Sequence, residues 1–162
     1  MMIVRQLREE DLEEAMRIYA SARAFMKRIG NGSQWKDSWP PREILEQDIR
    51  NKNAYAVEDN NTLKGVFVYW YGDHAESDYD QIFEGSWMQD GPYGVVHRIA
   101  ALEGSHAGRF ALRWAMKQCG HMRIDTHENN KAMIHTLERL GFSRRGIIYL
   151  KNGESRLAFE VI

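Results

Sequence analysis

One cysteine, three prolines and no apolar run of membrane-spanning length set the first limits on this sequence. The lone Cys119 excludes an internal disulfide framework and any metal site built from several thiolates of one chain. The longest apolar runs fall far short of the roughly 20 residues a spanning helix needs. Neither charge sign dominates. Lys+Arg number 22 against 23 for Asp+Glu, a formal charge of −1, which gives no sign of a general nucleic-acid or membrane-surface binder. At the start, MMIVRQL runs straight into the acidic REEDLEEA, the wrong order for a secretory leader, so the reducing cytoplasm is the expected location.

What is present is ordinary for a globular protein. Hydrophobic residues make up 43% and charged residues 28% of 162 residues. A chain of this length is expected to form one domain over 1–162, burying roughly 70% of its extended surface on folding. Ile3–Leu7 reads as a strand, and residues 9–28 repeat Leu12, Ala15, Met16, Tyr19, Ala22 and Met26 at helical spacing. GNGSQWKDSWPP breaks that helix and PREILEQDIRN begins another. NAYAVED and TLKGVFVYWYGD predict two strands joined through Asn60-Asn61, residues that tolerate the positive φ of a tight hairpin. Residues 74–93 have no clean period and are expected to form a long loop. YGVVHRIAA predicts a central strand, followed by a helix from Ser105 to Cys119. HMRIDT then reads as a strand, NNKAMIHTLERLG as a helix, and FSRRGIIYL with SRLAFEVI as a closing hairpin. That order predicts a mixed α/β fold around one sheet with at least one β-α-β crossover.

The stretch HRIAALEGSHAGRFALRWA is a strand, a loop holding two glycines, and a helix. Such a loop presents backbone N–H groups at a helix N-terminus, where partial positive charge suits a phosphate. The plainer alternative is a strand-to-helix turn whose glycines serve geometry alone.

The next motif, RIDTHENNKAMIHTLERLGF, favours the phosphate site. With Asn130, Met133 and Leu140-Gly141-Phe142, and with REEDLEEAMRIY, HRIA, the 104–114 loop and helix, GIIYL and RLAFE, the chain resembles the GNAT superfamily of acyl-CoA-dependent N-acetyltransferases along nearly its whole length. The HRIA and RIDTH wording is similar to that of a bacterial branch. The resemblance implies a mixed, largely antiparallel sheet flanked by helices on both faces, splayed between the HRIAA and HMRIDT strands. It further implies acetyl-CoA as donor. Its pantetheine arm would pair with Ile99, Ala100 and Ala101, one N–H there would polarise the thioester carbonyl, and Asn130 and Met133 would contact it from the later helix.

The family's pyrophosphate loop reads Q/R-x-x-G-x-G/A. In this register it is Glu103-Gly104-Ser105-His106-Ala107-Gly108, with Arg109 following. Glu103 brings negative charge towards an anion, and His106 brings a Cβ where the family has glycine. The backbone cradle from Ser105 to Arg109 does not depend on side chains, and His106 and Arg109 can add a hydrogen bond and charge. A tyrosine commonly placed seven residues past Asn130 as general acid is replaced by Leu137. A thiol with pKa about 8.5 still leaves as a tolerable thiolate.

An acceptor amine like lysine, with pKa near 10.4, needs about 4–5 kcal/mol to reach its neutral form at pH 7, so a base is expected. The candidates are His97 on the HRIA strand and Glu84 in the preceding loop; the alternatives are a sheet histidine and a solvated carboxylate. His121, Asp125 and His127 share one strand parity but lack a matching cluster of ligands, so no metal is expected. Cys119 at a helix C-terminus has its thiolate disfavoured and reads as inert. Trp35, Trp39, Tyr69, Trp70, Tyr71, Trp87 and Tyr93 either pack or line an acceptor pocket.

The function this implies is acetyl transfer to a primary amine of a small molecule or peptide, by direct attack in a ternary complex. The alternative is a non-catalytic acyl-CoA- or ligand-binding domain of the same fold. The apolar SRLAFEVI strand suggests an exposed edge on which a second copy would pair as a weak homodimer, unless its own neighbours cover it.

Overall fold

The computed structural model describes residues 1–162. Seven strands form one sheet in the order β1-β2-β3-β4-β5-β7-β6. Their ranges are β1 Met2–Gln6, β2 Ala54–Asp59, β3 Thr62–Gly72, β4 Tyr93–Ala101, β5 Met122–Thr126, β6 Ser143–Tyr149 and β7 Ser155–Val161. The helices are α1 Leu12–Arg28, α2 Gly32–Trp35, α3 Arg42–Arg50, α4 Ala107–Cys119 and α5 Lys131–Arg139. β4 and β5 run parallel, with Gly94 opposite Met122 and Val95 opposite Arg123, because α4 carries the chain across between them. The pairs β1–β2, β2–β3, β5–β7 and β6–β7 are antiparallel. No helix is long and apolar enough to cross a membrane.

Local chemistry sets the boundaries. The β2–β3 hairpin turns on Asn60 (φ 51°) and Asn61 (φ 65°), as the dipeptide predicts. The first helix starts at Leu12, the first residue of its apolar stripe, rather than at residue 9. Glu9–Asp11 form a 3-10 turn, closed by the Arg8 N–H donating to Asp11 at 2.8 Å, and Arg5 clasps the same carboxylate. Within GNGSQWKDSWPP, the single turn α2 seats Trp35 in the core.

One expectation fails here. β7 lies between β5 and β6, so SRLAFEVI is not a sheet edge, and the homodimer inferred from that edge loses its basis. The register pairs Phe159 with both Ile124 and Arg144, so ladder bonds on both sides of the strand are taken by the chain itself. The edges are β1 and β6.

Packing divides the chain into two compact units, Met1–Tyr69 with Val96–Trp114, and Trp70–Val95 with Ala115–Ile162. In the first, the α1 stripe of Leu12, Ala15, Ile18, Tyr19, Ala22 and Met26 buries against Ala54, Ala56, Leu63, Val66 and Ala100. In the second, Tyr79 and Tyr93 pack with Val95, Ile148 and Ala158. The irregular segment following β3 has one 3-10 turn, Ser77–Tyr79, and is otherwise held by side chains and by a backbone bridge from Phe83 to Ile147.

Candidate functional site

The first unit bends β4 at an unexpected residue. Arg98 sits at φ 48° in mid-strand, a left-handed conformation that a residue with a Cβ adopts only when its surroundings enforce it. The in–out alternation is lost there, since His97, Arg98 and Ile99 are all half-buried. Two helices grip the kink. The buried Tyr19 hydroxyl on α1 donates to the Arg98 carbonyl at 2.7 Å. Asp48, buried on α3, accepts Nε and Nη2 of the guanidinium at 2.8 and 2.7 Å. Burial pushes the Tyr19 hydroxyl far above its ordinary pKa, so it remains a donor.

Beyond the kink, β4 leads through Ile99, Ala100 and Ala101 into the loop. The Ser105 hydroxyl donates to the Leu102 carbonyl at 2.6 Å and accepts the Ala107 N–H at 3.2 Å, which delays the helix start from the expected Ser105 to Ala107. Gly104 (φ 76°) and His106 (φ 64°) are both left-handed. His106 thus holds the backbone conformation that glycine supplies most readily, at the position where the family pattern has glycine. The first helical bond runs from the Phe110 N–H to the His106 carbonyl at 3.1 Å, so the N–H groups of Gly108 and Arg109 precede the ladder and have no intrahelical partner. A Cβ on Gly108 would meet only Ala101, at an ordinary 3.8 Å, so nothing inside the protein demands glycine there. Glu103 is ion-paired with Arg28 at the end of α1, which offsets the negative charge at the loop entrance.

The second unit carries the remaining motif. Asn130 is the N-cap of α5; its side chain accepts the Met133 N–H at 3.2 Å. Met133 is half-buried, and Leu137 is fully buried as a packing residue with no hydroxyl to offer.

No protein-family sequence model matches the chain, and no curated protein matches it. Among solved structures, the acetyltransferase of the GNAT family from Streptococcus agalactiae 2603 is 30% identical, with TM-score 0.89, over 99% of this chain and 95% of that one. This chain belongs to the GNAT family of acetyltransferases. A GNAT-family acetyltransferase from Listeria monocytogenes 4b F2365 shares the fold at 20% identity and TM-score 0.67, covering 99% of this chain and 95% of its own. So does the NatC complex bound to Gag peptide and CoA, at 13% identity and TM-score 0.64, covering 99% and 97%. The GNAT fold supports acyl-CoA-dependent acetyl transfer in general.

Among the catalytic candidates, His97 is half-buried on β4, directly before the kink, in the first unit of this GNAT chain. Glu84 lies in the second unit, exposed and left-handed (φ 55°). Its neighbour Phe83 bridges to Ile147 on the edge strand β6 through two 2.8 Å hydrogen bonds.

Two buried groupings in the second unit were not visible in sequence. Tyr79, fully buried in the irregular segment, donates to Asp125 Oδ2 at 2.6 Å, and burial raises its hydroxyl well above the ordinary value. Asp125 itself is half-buried on β5, and as the one carboxylate in HMRIDT it carries no mark in the sequence beyond sharing strand parity with His121 and His127. Glu160, fully buried on β7, accepts from His121 Nε2 at 2.7 Å, Arg123 Nε at 3.3 Å and the Met88 N–H at 2.5 Å. The Arg123 guanidinium lies over the rings of Trp87 and Tyr93, at 4.4 and 4.5 Å, and donates to the Gln89 carbonyl at 2.6 Å. This buried charge network holds residues 87–93 in place.

The other candidates have structural partners. His121 Nδ1 is 2.9 Å from the Pro92 carbonyl, His127 Nδ1 accepts the Asn129 N–H at 3.0 Å, and the Cys119 thiol donates to the Ala115 carbonyl at 3.2 Å. No group of three or more His, Cys, Asp or Glu is arranged to hold a metal ion. Trp35 packs edge-on to Tyr19, Tyr69 edge-on to Trp114, and Trp70 and Trp87 donate to the carbonyls of Ala75 and Tyr79. Tyr93 is buried, while Trp39 and Tyr71 are exposed.

Proposed function

We propose that residues 1–162 act as one acetyltransferase domain that moves an acetyl group from acetyl-CoA to a primary amine of a small molecule or peptide, in the cytoplasm. The pyrophosphate would sit at Gly104–Arg109, the pantetheine arm along Ile99–Ala101, and Asn130 and Met133 would contact the donor from α5. The observation that carries this is His106 at φ 64°: the loop keeps the conformation of a glycine-built phosphate cradle although the sequence has lost the glycine. Pairing with Arg28 offsets the negative charge that Glu103 brings beside an anion there.

The chemistry is a direct attack. The neutral amine nitrogen bonds to the thioester carbonyl carbon, the C–S bond breaks, and CoA leaves as thiolate and takes a proton from water. The Arg98 kink supports the Ile99 N–H as the polarising donor. Because a trans peptide points its C=O and N–H in opposite directions, the carbonyl held by Tyr19 turns the N–H of Ile99 away from α1. His97, next to the kink, is the first choice for the amine's proton. The exposed Glu84 is the second.

A fully buried Leu137 at the family's acid position favours a second reading, a domain that binds acyl-CoA or another ligand without transfer. Release of free thiol from acetyl-CoA across a broad panel of primary amines separates the two. Amine-dependent release is expected; binding of acetyl-CoA without release under any amine leaves the binding domain.

A further inference from the structure

We infer that Tyr19 and Asp48 are positioning residues of the transfer step: they hold the Arg98 kink, and the kink aims the Ile99 N–H at the donor's carbonyl. The inference rests on the acetyltransferase assignment above and adds two residues, on two helices, that touch neither donor nor acceptor.

The two grips are independent and complementary. Tyr19 takes the main chain of Arg98 through its carbonyl at 2.7 Å, and Asp48 takes the side chain through a two-bond fork at 2.7 and 2.8 Å. One fixes where the peptide between Arg98 and Ile99 points, and the other prevents the residue from rotating back to an extended conformation. A strand that only had to pair with its neighbours would need neither. The ring of Tyr19 already packs edge-on to Trp35 and lies in the α1 core, work that phenylalanine would do without bringing a hydroxyl into the interior. Asp48 places a carboxylate on the buried side of α3, beside the apolar Leu45, where only its fork with Arg98 compensates the loss of water. A left-handed arginine, a buried tyrosine hydroxyl and a buried aspartate are each unfavourable alone. Together they satisfy one another, and their product is a single peptide turned out of the strand's regular order.

The test is infrared spectroscopy of [1-13C]acetyl-CoA bound to the wild-type protein, Tyr19→Phe and Asp48→Asn, with CoA affinity measured in parallel. A hydrogen bond from Ile99 lowers the thioester carbonyl frequency relative to free acetyl-CoA. The wild type is expected to show that shift. Each variant is expected to lose about half of it or more while binding CoA within about twofold of wild type, and turnover with any active amine to fall about tenfold or more. A merely structural role would instead weaken CoA binding and leave the bound carbonyl frequency unchanged. A wild-type shift retained in both variants overturns the inference and leaves the acetyltransferase assignment standing. Bound acetyl-CoA with no shift in the wild type overturns the Ile99 donor and the inference with it. Failure of the wild type to bind acetyl-CoA at all overturns the acetyltransferase assignment. Two variants on different helices are used so that one that does not fold still leaves the other.

Discussion

The hydroxyl of Tyr79 donates to Oδ2 of Asp125 across 2.6 Å, tying the irregular segment after β3 to strand β5. The Tyr79 ring also packs against Trp87 and Tyr93, so Tyr79→Phe removes the hydrogen bond and little else. Loss of a buried hydrogen bond to a carboxylate is expected to cost about 1.5–3 kcal/mol, read as a lower urea midpoint with an unchanged denaturant slope.

The left-handed His106 gives a prediction of the opposite sign. Glycine at this position relieves the Cβ clash, which costs roughly 1–2 kcal/mol, and adds about 0.5–1 kcal/mol of unfolded-chain entropy. His106→Gly is therefore expected to leave stability level or slightly raised and to keep or tighten CoA binding by calorimetry. A tenfold weakening, about 1.4 kcal/mol, would instead mean that the imidazole itself bonds the phosphate.

Leu137 is fully buried, so its value is in packing. Leu137→Ala is expected to destabilise by about 2–5 kcal/mol in chemical denaturation. Leu137→Tyr overfills the site by about 1–3 kcal/mol and does not raise the rate of acetyl-CoA consumption. A large gain in rate from that substitution would show that a general acid had been missing.

His127 supplies the pH dependence. Burial, and secondarily the Arg156 cation, hold its imidazole below the ordinary 6.5. The folded state therefore binds this proton less readily than the unfolded chain. Its contribution to stability is complete above the unfolded value and is lost as pH falls through the folded one. The geometry agrees, because Nδ1 can accept the Asn129 N–H only when unprotonated. Denaturation at about pH 7.5 and about pH 5.5 should show wild-type stability dropping more than that of His127→Gln. Equal drops in both would remove His127 as the cause.

Much of the fold was legible because its determinants are local. Asn60-Asn61 marks a hairpin, and the spacing of Leu12, Ala15, Tyr19, Ala22 and Met26 marks the buried face of a helix. What was not legible depends on partners far along the chain. Strand order is one such case: nothing within SRLAFEVI says whether β6 will cover its outer side. Tyr79–Asp125 and Arg123–Glu160 join residues 46 and 37 positions apart, and a tyrosine in a loop without period carries no mark of burial. The Arg98 kink was hidden for another reason. Left-handed backbone usually advertises itself through glycine or asparagine, whereas here tertiary contacts from Tyr19 and Asp48 impose it on an arginine.

The most direct test of the account is a calorimetric titration of the wild-type protein with CoA. Binding of one CoA per chain is expected, weakened when Gly108→Val places side-chain bulk over the first-turn N–H groups of α4. Absence of heat at millimolar CoA, or binding that Gly108→Val leaves untouched, would contradict a donor site built on Gly104–Arg109.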